Sequence, residues 1–185
     1  YRTVLKEKLF LVLYSHISKL FVRNYVNACN LSLKYNAIKN FITDYTRYFY
    51  SEDREGLKNY CLAFYYSGKR QFCRSLENSS KEKIELPVFK LDIKILKIKC
   101  YFELGYTDSL FSEIDTLKHF LKNTESLKKE NISSVKNFLK FITRILNRSD
   151  IKTGKNIFVL RKEIENEMLL TEKKWLLIKL KELEK

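Results

Sequence analysis

Apolar residues along this chain recur every three or four positions, which is the spacing of one face of an α-helix. The pattern is strongest over residues 87–122, where two such stripes are separated by Leu104-Gly105-Tyr106. Pro87 suits the first turn of a helix, because its missing N–H would be unpaired there, and Gly105 suits a left-handed C-terminal cap. The sequence therefore predicts two antiparallel helices joined by a turn at Gly105.

The same spacing predicts further helices on both sides of this hairpin. They cover residues 3–19, 20–33, 37–50, a segment ending near 68, 71–78, 129–147, 156–169 and 171–183. Ser51 and Thr171 are predicted N-terminal caps, since their hydroxyls can accept hydrogen bonds from the unpaired N–H groups of a first turn. With only 4 Gly and 1 Pro, the chain has too few turn residues for an all-β fold. We expect an all-α protein.

The hairpin at 87–122 has an upstream copy at a spacing of 34 residues. The small residue followed by leucine at Ser109-Leu110 recurs at Ser75-Leu76, and a second shift upstream keeps the chemical class at most positions. A shift downstream fails, because Leu110 falls on Arg144. A fixed period in this range is typical of helical solenoids.

These copies resemble the tetratricopeptide repeat, a helix-turn-helix unit of the same length. The resemblance is carried by Tyr101-Phe102-Glu103-Leu104-Gly105-Tyr106-Thr107-Asp108-Ser109-Leu110 and, more loosely, by Ala63-Phe64-Tyr65-Tyr66-Ser67-Gly68 with Phe72 and Ser75-Leu76. The chain is also similar to a class of uncharacterised bacterial proteins with divergent repeats of this kind.

The resemblance implies antiparallel helix pairs stacked as a short, TPR-like right-handed α-solenoid. The repeats would cover about 20–122 and the helices at 123–185 would cap the stack, so that residues 1–185 form one helical-repeat domain. In such a stack the first helix of each pair lines a groove that can hold a peptide or a helix. We therefore expect a non-enzymatic scaffold or adaptor whose partner is another protein or peptide.

The net charge is +14, from 36 Lys and Arg against 22 Asp and Glu. A positive field favours anionic partners such as nucleic acid, acidic proteins or anionic lipid. The basic residues are spread along the chain, however, and the abundance of Lys, Asn, Ile, Tyr and Phe is also what an AT-rich genome encodes. Nucleic-acid association through basic helix faces is therefore the alternative to a protein-interaction scaffold.

Nine residues are candidate contacts with a partner, eight of them basic. They are Tyr60, Lys90, Lys94, Lys97, Lys99, Lys136, Lys140, Arg144 and Arg148. Lys90, Lys94 and Lys97 form one basic stripe at helical spacing, and the last four form a second with a basic residue at every fourth position. Four of the nine lie off the main apolar stripes and are therefore predicted groove residues: Tyr60, Lys94, Lys97 and Lys99. A solvated helix face has the same pattern, and the stripes lack the interleaved aromatic residues that single-strand binders use.

No arrangement of residues points to catalysis. The two histidines, His16 and His119, have no ligand or acid–base partner at motif spacing, and the four glycines are isolated rather than grouped in a phosphate-binding loop. We expect no enzymatic activity, no cofactor and no metal.

The four cysteines lie in apolar helical stretches without CxxC pairing, which favours free thiols in a reduced, cytoplasmic protein. The most apolar run, residues 9–14, is far shorter than the roughly 20 residues of a membrane span, so no span is expected. Because the chain begins at Tyr1 rather than Met, we expect it to be the C-terminal part of a longer chain.

Overall fold

The computed structural model describes residues 2–9, 16–147 and 154–183, and within these ranges it contains ten α-helices, one short 3-10 helix and no β-strand. The α-helices are α1 (Arg2–Lys6), α2 (Lys19–Leu31), α3 (Tyr35–Tyr45), α4 (Arg54–Gly68), α5 (Phe72–Lys81), α6 (Pro87–Leu104), α7 (Thr107–Asn123), α8 (Lys129–Leu146), α9 (Gly154–Asn166) and α10 (Lys173–Glu182). The 3-10 helix covers Thr46–Tyr48. The prediction of an all-α fold is confirmed.

The hairpin of α6 and α7 has the predicted ends. Helix α6 begins at Pro87, and Gly105 caps its C-terminus in the left-handed region with φ 70°. The N–H of Gly105 donates to the carbonyl of Phe102, and the N–H of Tyr106 donates to the carbonyl of Tyr101 at 3.0 Å. These bonds pair carbonyls that have no partner within the helix, which is the role expected of a glycine cap.

Two predicted N-terminal caps are wrong. The N-cap of α4 is Asp53 rather than Ser51, whose hydroxyl instead lies 3.3 Å from the carboxylate of Glu52. Thr171 lies before the N-cap of α10, and its hydroxyl is 2.9 Å from the hydroxyl of Ser134 on α8. In both cases the hydroxyl has found another polar partner, which sequence spacing alone does not reveal.

The first predicted helix, over residues 3–19, is also wrong as one continuous element. Helix α1 ends at Lys6, and Lys8 has a left-handed backbone with φ 50°. Ser18 is the N-cap of α2, where its hydroxyl accepts a hydrogen bond from the Phe21 N–H at 3.3 Å. Part of the predicted helix, residues 10–15, falls outside the described residues.

The chain forms two compact units, residues 1–117 and 118–185, which divide within α7. In the first unit α2 packs against α3 and α4, α4 also packs against α3, α5 and α6, and α5 packs against α6. Each of these helices therefore contacts the next along the chain, while α2, α4 and α6 are neighbours in that order.

Aromatic side chains occupy much of the core of this first unit. The ring of Phe41 stacks on Tyr25 with 4.5 Å between centroids, and the ring of Tyr60 lies 4.7 Å from that of Phe89. Burying a side chain of this size contributes about 1.5–3 kcal/mol. The largest fully buried side chains of the unit include Tyr60, Phe41, Phe49, Phe89, Ile17, Ile38, Leu57, Ile98, Ile114 and Leu117.

Ser75 shows how the small position of the repeat is used. Its hydroxyl is fully buried, donates to the carbonyl of Ala63 on α4 at 2.8 Å and accepts from the thiol of Cys100 on α6 at 3.4 Å. Its counterpart at the 34-residue shift, Ser109, is exposed, whereas Leu110 is buried. The reason is that α5 begins at residue 72 but α7 begins at residue 107, one position late for that shift, and one residue rotates a helix by about 100°.

The second unit contains the end of α7 and helices α8, α9 and α10. Helix α10 packs against α8 and α9, with the ring of Trp175 6.3 Å from that of Phe138 and with Leu176 and Leu180 fully buried. The apolar C-terminal helix is therefore an integral part of the core of this unit.

The cysteines are unpaired: Cys29, Cys61 and Cys100 are buried, and Cys73 is exposed. None of the helices in the described ranges combines the length and the apolar character that crossing a bilayer requires.

Four helix-ending turns in the first unit share one backbone geometry. The left-handed residues are Lys8 (φ 50°) after α1, Leu33 (φ 58°) after α2, Arg70 (φ 58°) after α4 and Gly105 (φ 70°) after α6. In each turn the N–H of the following residue donates to the carbonyl five positions earlier, at 2.9, 2.9, 2.9 and 3.0 Å respectively. The turns therefore repeat in structure although the residue at their key position changes.

Candidate interaction surfaces

The predicted basic stripe on α6 faces carboxylates of neighbouring segments. Lys90 forms an ion pair with Glu85, and the Lys94 ammonium lies 3.5 Å from the carboxylate of Glu113 on α7. Burial raises the pKa of Glu82, and the positive charges of Lys90 and Lys97 oppose that rise. Much of the charge of this stripe is thus balanced within the first unit.

Tyr60, a predicted groove residue, lies in the core rather than on the surface. Its ring is fully buried on α4, and its hydroxyl donates to a carboxylate oxygen of Asp92 on α6 at 2.8 Å. Arg23 on α2 contacts the same carboxylate through two hydrogen bonds, from Nε at 2.6 Å and from a terminal nitrogen at 2.9 Å. One carboxylate therefore connects α2, α4 and α6, and we call Arg23, Tyr60 and Asp92 the three-helix network.

The three-helix network is shielded from solvent. The side chains of Arg23 and Asp92 are 21% and 12% exposed. Hydrogen bonds to charged groups contribute about 1.5–3 kcal/mol each, and they weigh more here because little water competes. Burial and the negative charge of Asp92 raise the pKa of Tyr60 well above its ordinary value. Burial lowers the pKa of Arg23, but its hydrogen bond to Asp92 and the attraction of that carboxylate outweigh this, so the net shift is upward.

Arg23 and Asp92 were not among the predicted site residues. The available signal was Asp92 itself, because it is the one acidic residue in the first sixteen positions of α6, a helix otherwise made of apolar and basic residues. An isolated charge of opposite sign on a largely buried helix requires a partner. Which residue supplies it depends on the packing of α2 against α4 and of α4 against α6.

The predicted stripe on α8 belongs to the second unit. Lys136 and Lys140 are exposed, whereas Arg144 is half-buried and its guanidinium binds the carboxylate of Glu163 on α9 through both terminal nitrogens. Hydrogen bonding to Arg144 lowers the pKa of Glu163. The fourth member, Arg148, lies outside the described residues. The stripe is thus split between two exposed lysines and an arginine that joins two helices.

The remaining candidate residues, His16 and Lys99, are partly covered by other parts of the protein. His16 stacks on the ring of Tyr50 with 4.4 Å between centroids. In the part of the chain that the structure describes, no three His, Cys, Asp or Glu side chains converge in a way that could hold a metal ion. Lys99, the remaining predicted groove residue, is half-buried on α6.

Comparison with known proteins gives no relative: no protein-family model matches the chain, and no curated protein or solved structure matches it significantly.

Proposed function

We propose that the protein is a non-catalytic scaffold or adaptor, a TPR-like stack of helix pairs that binds another protein or a peptide. The observation that carries the proposal is the packing order of the first unit, in which α2, α4 and α6 are consecutive neighbours and α3 and α5 pack beside them. A stack of pairs with the first helix of each pair in one layer has this order of contacts. Turns of one backbone geometry end α2, α4 and α6, with left-handed residues 37 and 35 positions apart rather than at a fixed 34; they support helix pairs of unequal length.

Arg23 and Tyr60 stand at the same distance in sequence from Leu33 and Arg70, and both bind Asp92. Equivalent positions of successive pairs therefore converge on one carboxylate. Because Tyr60 is fully buried, these positions lie between neighbouring helices and not on an open groove face.

The next equivalent positions toward the turns are Asn27, Phe64 and Lys99, which stand at equal distances from Leu33, Arg70 and Gly105. Asn27 and Lys99 are half-buried, and Phe64 is buried. A half-buried amide at Asn27 and a half-buried cation at Lys99 suit a peptide that offers backbone groups and an acidic side chain. Lys99 is thus the member of the predicted groove set that the proposal retains as a direct contact.

The sequence contains no recognisable catalytic motif, and the His16 ring is stacked on the ring of Tyr50. Both observations favour binding over catalysis. A cytoplasmic location is part of the proposal and is supported by four unpaired cysteines, one of them exposed.

The test is affinity capture from the source organism with quantitative mass spectrometry, comparing the wild type with Lys99→Glu. The matched control is Lys122→Glu, which makes the same charge change at an exposed position of α7. We expect a defined protein to be enriched by the wild type and by Lys122→Glu and to be lost with Lys99→Glu. Capture of no defined protein, or equal loss with both variants, contradicts the proposal.

A further inference from the structure

A second surface of the first unit combines basic and aromatic side chains, and it lies apart from the stripes predicted from the sequence. It is formed by residues of α3, the end of α4 and the start of α5. We call it the basic–aromatic surface and define it as Lys39, Tyr65, Tyr66, Lys69, Arg70 and Arg74.

Direct contacts join four of these residues, and Lys69 and Arg70 follow the two tyrosines in the chain. The Lys39 ammonium lies 5.8 Å from the ring centroid of Tyr65, and the Arg74 guanidinium lies 5.7 Å from that of Tyr66. The two tyrosine rings are 5.2 Å apart. A cation within about 6 Å of a ring is attracted by the π-electrons, so the basic groups are held beside the rings.

A shallow depression continues the surface across the α4–α5 turn. Arg70 and Arg74 line it together with Gln71, Phe72, Cys73 and Leu104. The side chain of Arg70 is 75% exposed, and Arg74 is exposed as well. Arg74 donates a hydrogen bond to the side-chain oxygen of Gln71 at 3.1 Å. This bond restrains the Arg74 guanidinium at the edge of the depression.

The surface is strongly positive because the local sequence lacks acids. No Asp or Glu occurs between Gly56 and Leu76. Two carboxylates border the surface: Glu103 lies 4.0 Å from Arg70, and Glu77 forms an ion pair with Lys81 and also interacts with Arg74. The four cations of the surface therefore outnumber the two carboxylates that border it.

The backbone at Arg70 holds the residue in a left-handed conformation. Arg70 has φ 58°, a conformation that costs a non-glycine residue about 1–2 kcal/mol. Leu33 and Lys8 adopt the same conformation, so the strain does not distinguish Arg70. What distinguishes Arg70 is a largely exposed guanidinium on the basic–aromatic surface.

We propose that the basic–aromatic surface binds single-stranded nucleic acid, with Lys39, Lys69, Arg70 and Arg74 on the phosphates and the tyrosine rings beside the bases. Guanidinium groups bind phosphate oxygens through two parallel hydrogen bonds. Rings within a positive surface are the feature by which single-strand binders hold unpaired bases, whereas phosphates alone would require only the charges. This binding is separate from the proposed contact at Lys99.

The test measures fluorescence anisotropy of a labelled poly(U) oligonucleotide of roughly ten nucleotides, a length within the ~4–16 that one binding module covers. We compare the wild type with the double variant Arg70→Ala/Arg74→Ala and with the charge-matched control Lys122→Ala/Lys129→Ala, two exposed lysines outside every candidate site. Circular dichroism checks that each variant is folded, which the exposure of all four side chains favours.

We expect Arg70→Ala/Arg74→Ala to weaken binding at least tenfold and the control to weaken it less than about twofold. The wild-type plot of log affinity against log salt concentration should have a slope near −3, since each neutralised phosphate contributes about 0.7. For the double variant, which lacks two cations, the slope should be smaller in magnitude by about 1.4. Tyr66→Leu should weaken binding about tenfold while leaving this slope unchanged, because stacking does not release counterions.

Three results would overturn the proposal. Equal loss in both double variants would mean diffuse attraction to the net charge. A duplex of the same length that binds as tightly as poly(U) would remove the role of unpaired bases. Competition by poly-glutamate at equal charge concentration would identify the surface as a site for acidic peptides. Failure here leaves the capture experiment with Lys99→Glu unaffected, since the two tests use different residues and different partners.

Discussion

The α4–α5 turn and the α6–α7 turn both contain a glycine, but the two glycines occupy different positions in the same backbone geometry. Gly105 is itself the left-handed residue, and a side chain at that position would meet no atom within 4 Å. Gly68 lies two residues before the left-handed Arg70, and a Cβ there would lie only 2.0 Å from the ring of Tyr35. One glycine is needed for its backbone angle and the other for close packing.

This comparison teaches that the turn repeats through its hydrogen bonds rather than through its residue types. The N–H of Gln71 donates to the Tyr66 carbonyl as the N–H of Tyr106 donates to the Tyr101 carbonyl. Packing can hold a non-glycine residue in the left-handed region when these bonds and the flanking helices fix the chain. The differences between the turns are measurable as stability changes.

Gly68→Ala should cause the largest change, a loss of about 1–3 kcal/mol of unfolding free energy, because its methyl group overlaps the ring of Tyr35. Urea denaturation measures the loss. The double variant Gly68→Ala/Tyr35→Ala should show a coupling above about 0.5 kcal/mol, whereas additive effects would contradict the packing role of Gly68.

Gly105→Ala should cost about 1 kcal/mol, because an L-residue is strained at φ 70° although its side chain has open space. Gly105→Asn should cost less, since asparagine tolerates this conformation. Equal losses for Ala and Asn in thermal denaturation would mean that backbone strain is not the cause.

Leu33→Gly should act in the opposite direction and stabilise the protein by about 0.5 kcal/mol. It relieves a left-handed leucine that is 71% exposed, and the greater freedom of glycine in the unfolded chain offsets part of the gain. Calorimetry at one protein concentration measures the change, and a loss of stability would show that the exposed Leu33 side chain contributes to the fold. The affinity for poly(U) should not change.

Arg70→Gly should give the smallest stability change, a gain of about 0.3 kcal/mol, because the same relief is offset further by loss of the exposed ion pair with Glu103. The variant should nevertheless weaken poly(U) binding severalfold, in contrast to Leu33→Gly. Unchanged affinity would remove Arg70 from the basic–aromatic surface.

The helices could be predicted from the sequence because apolar spacing is a local property. Residues 87–104 were assigned correctly since Pro87 and Gly105 mark both ends and the buried positions between them form two stripes at helical spacing. The predicted caps at Ser51 and Thr171 are wrong because each hydroxyl has another partner: the adjacent Glu52 for Ser51, and Ser134 on another helix for Thr171. The partner of Thr171 could not be read from local sequence.

The candidate sites were less predictable because they combine residues from separate helices. Lys99 was singled out from its position off the apolar stripe, and the same reasoning placed Tyr60 in the groove although its ring is buried against Phe89. Lys39 and Tyr65 are far apart in sequence, and their contact exists only because α3 packs against α4.

The sequence alone determined the all-α class, the positions of most helices and the excess of positive charge, since these depend on composition and on short-range periodicity. Tertiary structure decided which charges are balanced and which face solvent. Arg23 binds Asp92 and is largely shielded, whereas Arg70 and Arg74 lie on a surface where cations outnumber carboxylates and are exposed. The energy of a charge depends on the groups that surround it in space, and for these residues those groups come from other helices.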